Sequence, residues 1–271
     1  MLLIDVHVHL YDCYDLDRFL DGARGRFEEA AARLRIHGAC LGVLCLMERA
    51  GQAWMERLSR QRGSPGEASL EVAGGWRASR TAETCSLWLD DPRGRRILVV
   101  GGGQMVTSEG LEVLGLAMHD RVPDGLTLDE CVSAVRRADG LPVIPWGFGK
   151  WSGKRGRLLE RFLLERVEPG SVFLGENGGR PAFLKEPRMF RLAGRLGIRV
   201  LAGSDPLPLP WDGVRAGGFG TALKGELDEW HPAQSLKSLL GLKDLKPALY
   251  GEPVSLWVFL RNQLMLRLRS G

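Results

Sequence analysis

Two histidines two residues apart, His7 and His9, follow an acid in the opening run Leu3-Ile4-Asp5-Val6-His7-Val8-His9. The apolar residues Leu3, Ile4, Val6 and Val8 predict a strand. Alternation along that strand would put Asp5, His7 and His9 on one face. Neutral imidazole is a good ligand for zinc, iron or manganese, and a strand holds two rings at nearly fixed separation. The pair can therefore grip one ion. Two polar residues at the wet end of a strand give the same dipeptide, so the metal reading depends on ligands from elsewhere.

The elements that must position those rings read as alternating helices and strands. Residues 15–34 carry Leu16, Phe19, Leu20, Ala23, Phe27, Ala30, Ala31 and Leu34 at helical spacing. Residues 39–47 are too apolar and too short for anything but a strand buried on both faces, as in a parallel sheet. A helix over 50–61, with Trp54, Met55 and Leu58 on one face, ends at the breaker run Gly63-Ser64-Pro65-Gly66. Segments 69–76, 81–89 and 97–107 read as strands separated by turns at Arg-Ala-Ser-Arg and Asp-Asp-Pro-Arg-Gly, an antiparallel excursion feeding a core strand.

Beyond it the spacing predicts a strand at 111–118 and a helix opened by Thr127-Leu128-Asp129-Glu130, a capping box. A strand at 141–145, a basic helix at 154–167, a strand at 171–174, a helix at 185–196 and a strand at 199–202 follow. This alternation implies a parallel sheet with helices outside, in a closed or nearly closed barrel. The expected organisation is an α/β barrel over 1–210 and a helical extension over 211–271 packed on the same domain. In that tail, 235–240 and 254–268 read as helices. Arg261, Asn262 and Gln263 interrupt the second, and its apolar runs fall short of the roughly 20 residues a membrane span needs. It is expected to dock on the barrel, with a homodimer contact as the alternative, and to turn Arg261, Arg267 and Arg269 to water.

Composition agrees with a folded domain: 271 residues, 44% hydrophobic and 26% charged, exclude disorder and fibres. The formal charge of +4 does not imply nucleic acid, whereas small anionic or phosphorylated molecules suit it. Five cysteines without a Cys-x-x-Cys spacing fit reduced thiols, and Asp5 and the histidines break the first apolar stretch, so a cytoplasmic protein is expected.

Three pieces in order carry a family resemblance: Asp5-Val6-His7-Val8-His9, then Gly125-Leu126-Thr127-Leu128-Asp129-Glu130 with Gly140-Leu141-Pro142-Val143-Ile144-Pro145, then Gly203-Ser204-Asp205. The chain resembles the polymerase and histidinol phosphatase (PHP) family of metal-dependent phosphoesterases over about residues 1–207. The resemblance implies an irregular (β/α) barrel and a polynuclear metal cluster that activates water against a phosphate ester. The sequence departs from that pattern. Leu46-Met47-Glu48 stands where the family has Asp-His, Gln104 stands at the bridging glutamate, Trp146 at a metal histidine, and Asp205-Pro206-Leu207 at Asp-x-His. Leu111 also stands at a usual histidine.

Three metals cannot be held by the ligands that remain, but one can. The set the resemblance leaves is His7, His9 and Asp205, with Gln104 or a water completing it, around one zinc, iron or manganese ion, or none. Asp205 or Glu176 would take the proton of a metal-activated water. Glu176 sits in Leu174-Gly175-Glu176-Asn177-Gly178-Gly179-Arg180, a stretch that also reads as a surface turn set by its glycines. As a substrate-facing loop it would offer Asn177 and Arg180. Lys150, Lys154 and Arg155, among glycines before a helix start, would bind an anion or form a solvated turn, and His119 would line the mouth or an edge. The expected function is a hydrolase of the phosphoesterase class with at most one metal, the alternative being an inactive barrel that binds or scaffolds.

Overall fold

The computed structural model describes residues 1–60 and 70–270. The breaker run at 63–66 and the start of the strand expected from 69 lie outside the described residues. In chain order the elements are β1 (Leu2–Val8), α1 (Leu16–Arg33), β2 (Leu41–Glu48), α2 (Trp54–Arg60), β3 (Leu70–Ala73), β4 (Trp76–Arg80), β5 (Ser86–Asp90) and β6 (Arg96–Val106). There follow β7 (Glu112–Leu116), α3 (Leu128–Arg137), β8 (Leu141–Pro145), α4 (Gly153–Glu165), β9 (Phe173–Asn177), α5 (Arg188–Arg195) and β10 (Val200–Gly203). A short 3-10 helix (Asp212–Arg215), β11 (Gly220–Leu223), α6 (Pro232–Gly241), β12 (Ala248–Tyr250) and α7 (Leu256–Ser270) complete the chain.

The strands form one sheet in the order β10-β9-β8-β7-β6-β2-β1-β11-β12, curled into a nearly closed barrel. Its interior is filled by Ile4, Val6, Val43, Met47, Leu98, Val100, Leu114, Phe173 and Leu201, all essentially inaccessible to water. The closing seam lies where β10 comes up to β1. Asp205 N–H donates to His7 C=O at 2.8 Å, and Ala202 N–H to Thr221 Oγ1 at 2.8 Å. Gly203 permits this approach, because a Cβ there would lie 2.4 Å from the His7 backbone nitrogen.

Local chemistry sets the helix ends. Asp15 caps α1 by accepting from Arg18 N–H, and Thr127 and Glu130 form the reciprocal capping box of α3. Phe19, Leu20, Ala23 and Phe27 of α1 pack on the outside of β1 and β2, while α3, α4 and α5 cover the far side.

The expected barrel with an antiparallel excursion is present, but its antiparallel part is larger than the sequence reading placed it. The antiparallel excursion is present as β3-β4-β5, but residues 77–80, read as a turn, belong to β4. The long strand β6 is a branch point: one side pairs with β2 in parallel, and the other pairs with β5 early and β7 late, both antiparallel. The chain reverses from β6 into β7 by a tight turn at 107–111, and β7 is also antiparallel to β8, although α3 lies between them where a parallel crossover was expected. The tail contributes strands as well as helices, since β11 pairs antiparallel with β1 and with β12. On α7, Asn262 is buried and Arg261 and Arg267 are exposed, as are Trp257, Leu264 and Leu268. No helix among the described residues is long and apolar enough to cross a membrane.

Candidate metal centre

His7 lies within β1, His9 just past its end, Gln104 late in β6, and Asp205 two residues beyond β10. Four donor atoms from these residues meet at one point. His7 Nε2 and His9 Nε2 are 3.0 Å apart, and Gln104 Oε1 lies 2.9 Å from the first and 3.0 Å from the second. Asp205 Oδ1 is 3.6 Å from His7 Nε2 and 3.5 Å from His9 Nε2. Ligands about 2.1 Å from a common ion stand about 3.0–3.4 Å apart at octahedral to tetrahedral angles. Two imidazole nitrogens, a carboxylate and an amide oxygen with these separations fit one zinc, iron or manganese ion, and His7, His9 and Asp205 can hold it.

The surroundings prepare both charge states that ligation requires. Burial, reinforced by the charges of His7 and Arg49 against the opposing pull of Asp205, holds His9 well below the ordinary imidazole range, hence neutral. Burial pushes Asp205 up, but the nearby His7 and His9, the Asn177 hydrogen bond and Arg215 outweigh it and hold the carboxyl below the usual range. Asn177 Nδ2 donates to Asp205 Oδ2 at 2.6 Å, leaving Oδ1 facing the histidines. The Asp205 backbone is left-handed, φ +44°, an uncommon state for a non-glycine residue that the hydrogen bond to His7 C=O holds in place.

Asp5 does not join the ligands. The pairing of β1 with β2 slips by one residue between Asp5 and Val8, a bulge that separates the acid from the histidine pair. Its buried carboxylate accepts from Ser204 Oγ at 2.5 Å, Ser204 N–H at 2.8 Å and Gly217 N–H at 2.8 Å. Burial still pushes its pKa up to about 6. Asp5 thus ties β1 to the loop that carries Asp205.

A cavity of about 280 Å³ opens over the donor atoms, lined by Gln104 and Asp205 with Arg49, Glu112, Lys150 and Arg215. Of the residues expected at this mouth, Lys150 and Asn177 arrive, Lys150 in an ion pair with Glu112. Lys154 points to water on the first turn of α4, and Arg155 is bound to Gly149 C=O at 3.1 Å and Gly110 C=O at 3.4 Å, so neither lines it. Glu176 is not brought to the donors either. Alternation on β9 turns Asn177 towards Asp205 and Glu176 away, where Arg180 grips both its oxygens at 2.9 and 3.1 Å. His119 is exposed and lines a neighbouring cleft. Trp146 lines the cavity wall and is nearly buried.

The residue that sequence reasoning missed is Glu112, whose Oε1 accepts from Gln104 Nε2 at 3.1 Å. A parallel β7 would have carried its first residue to the far end of the barrel. The antiparallel course brings it to the mouth. Arg49, directly after β2, and Arg215, which donates to Ser204 C=O at 2.8 Å, were also unmarked. The signal for Arg49 was a basic residue at a strand end, and Arg215, in the short 3-10 helix, carried none.

No protein-family model matches the sequence, and no curated protein matches it. Solved structures do share its architecture. PsfC from Pseudomonas syringae PB-5123 superposes with a TM-score of 0.55 at 15% identity, over 97% of this chain and 96% of that one. The lesion-specific endonuclease PfuEndoQ from Pyrococcus furiosus superposes with a TM-score of 0.51 at 11% identity, over 90% of this chain and 57% of that one. The shared fold is a nearly closed α/β barrel. At these identities the likeness is one of fold, and this chain spans little more than half of the endonuclease. Within the barrel the donor atoms sit at one mouth, where β1, β6 and β10 end.

Proposed function

We propose that this protein is a metal-dependent hydrolase acting on a phosphate ester, with at most one divalent ion held by His7, His9 and Asp205 and completed by Gln104. The observation that carries the proposal is the convergence of His7 Nε2, His9 Nε2, Gln104 Oε1 and Asp205 Oδ1 within 3.6 Å of each other's nearest histidine nitrogen. When bound, such an ion acts as a Lewis acid on the ester and makes a neighbouring water more acidic.

The chain's own residues supply the rest. Asn177 fixes the Asp205 carboxylate, and Glu112 fixes the Gln104 amide so that its oxygen faces the histidines. Of the two carboxylates in the cavity, Glu112 and Asp205, Glu112 is the one left to take a proton from the attacking water, the role expected from sequence of Asp205 or Glu176. Arg49, Lys150 and Arg215 line the cavity beside Glu112 and Asp205, and with Lys150 and Arg215 ion-paired it is Arg49 that offers positive charge to an anionic ester. A neutral amide at Gln104 cannot bridge and neutralise two close divalent ions, which limits the site to one.

Elemental analysis of the purified chain should find no more than one equivalent of zinc, iron or manganese, and His7→Ala or His9→Ala should lose it. Hydrolysis of p-nitrophenyl phosphate should be weak and should vanish in the same variants. Two or more tightly held ions with rapid turnover would overturn the single-metal reading. One observation favours the alternative of an inactive binding barrel: Glu176, the second acid the sequence offered, is locked to Arg180. A chain without metal or turnover that still bound phosphate would establish it.

A further inference from the structure

Beside the metal centre lies a second cleft, of about 340 Å³, that the proposed chemistry does not use. It shares Arg49 and Gln104 with the cavity over the donor atoms, so the two spaces meet at those side chains. One part of its wall is soft and apolar, Met55, Met105 and Met118 with Cys85 over the backbone of Gly101, Gly102 and Gly103, and Thr84, His119, Asp120 and Arg121 line another part. The methionines lie directly on the glycines, since a Cβ at Gly101 would sit 2.8 Å from Met55 Cγ and one at Gly103 would sit 2.7 Å from Met118 Cε. Unbranched thioethers adapt to varied apolar shapes and favour the edges of aromatic rings. The volume is at the small end of the range for organic ligands, about 300–1,000 Å³.

Charge at the border is uneven. Lys150 is paired with Glu112, Arg215 with Asp212, and Arg121 with Glu48. Of the acids at the cleft, Glu48 accepts from Met55 N–H and Asp124 from Val106 N–H, while Asp120 is exposed. Arg49 differs. Among the described residues its guanidinium makes no hydrogen bond or ion pair, although its charge is near enough to help keep His9 neutral. A planar guanidinium with free donors matches a phosphate or phosphonate in two-point contact.

We infer that this cleft seats the organic part of the substrate, an apolar group of aromatic size, while Arg49 holds the anionic group at the border with the metal centre. The inference rests on the hydrolase reading for the word substrate, but the cleft's preference is measurable without turnover. The probes are phenylphosphonate, which is not hydrolysed, and inorganic phosphate, titrated calorimetrically into the protein freed of metal by a chelator and again after zinc loading.

Phenylphosphonate should bind about tenfold more tightly than phosphate in both states, a margin of about 1.4 kcal/mol. Ala50→Trp, at an exposed position on the cleft wall, should erase that preference and leave phosphate affinity unchanged. Arg49→Met should weaken both probes about fivefold or more. Each variant should keep the metal content of the unmodified chain. Equal affinity for the two probes, or a preference that survives Ala50→Trp, would overturn the inference. Absence of zinc binding with the aromatic preference intact would instead remove the metal reading and leave the cleft standing.

Discussion

Two glutamates, Glu112 and Glu176, stand on strands that meet the barrel mouth, and their partners decide what each can do. Glu176 is buried, holds Arg180 through both oxygens and accepts from Asn177 N–H at 3.0 Å. Removing it leaves a largely buried guanidinium unpaired, so Glu176→Ala should cost about 3 kcal/mol of stability, read from urea unfolding. Glu112 contacts Gln104 and Lys150 inside the cavity, where a carboxylate can reach the reacting water. Glu112→Gln should therefore fold and keep its metal while losing about 10²–10⁴ in kcat. Full turnover in that variant would assign the base elsewhere. Asp205 is a poor rival for the task, because Asn177 occupies one oxygen and the other faces the histidines.

At the scale of elements, the centre exists because β10 comes against β1. Gly203→Ala would put a methyl 2.4 Å from His7 N and 2.5 Å from His7 Cβ, backbone and near-backbone atoms that cannot swing aside. The variant should lose metal affinity by at least about tenfold even where it folds, as His7 or Asp205 is displaced. Metal titration of the soluble fraction checks this, and an unchanged affinity would show that the seam tolerates separation. The same elements show how far the sequence could be read. The histidine pair, the Thr127 cap and the Gly203-Ser204-Asp205 stop are local signals, and each is where its chemistry required. Strand direction is not local. Glu112-Val113-Leu114 has the same pattern whether β7 runs up or down, so only the three-residue gap between the strands read at 97–107 and 111–118, too short for a parallel crossover, carried the reversal and with it Glu112. β11 and β12 are only four and three residues long, too short for a period to register against the neighbouring glycines.

For the molecule as a whole, an ion at this centre would act as a staple. The strand path runs from β10 to β12, and β10 returns to β1 through a few links, chiefly Asp205 N–H to His7 C=O and Ser204 to Asp5. The donor residues straddle that seam: His7 and His9 on one side, Asp205 on the other. An ion that binds only when both sides are in place favours the folded barrel by about 2.7 kcal/mol at a hundred times its Kd. For a chain of this size that corresponds to a rise in Tm of about 5 °C. Scanning calorimetry with zinc against a chelator should show the rise. His9→Ala should abolish it, as should Asp205→Asn to a large extent, because each removes a ligand from one side of the seam. A rise that persists in the His7→Ala, His9→Ala double variant would place the zinc elsewhere, with the exposed thiols of Cys13 and Cys40 the first to replace by serine.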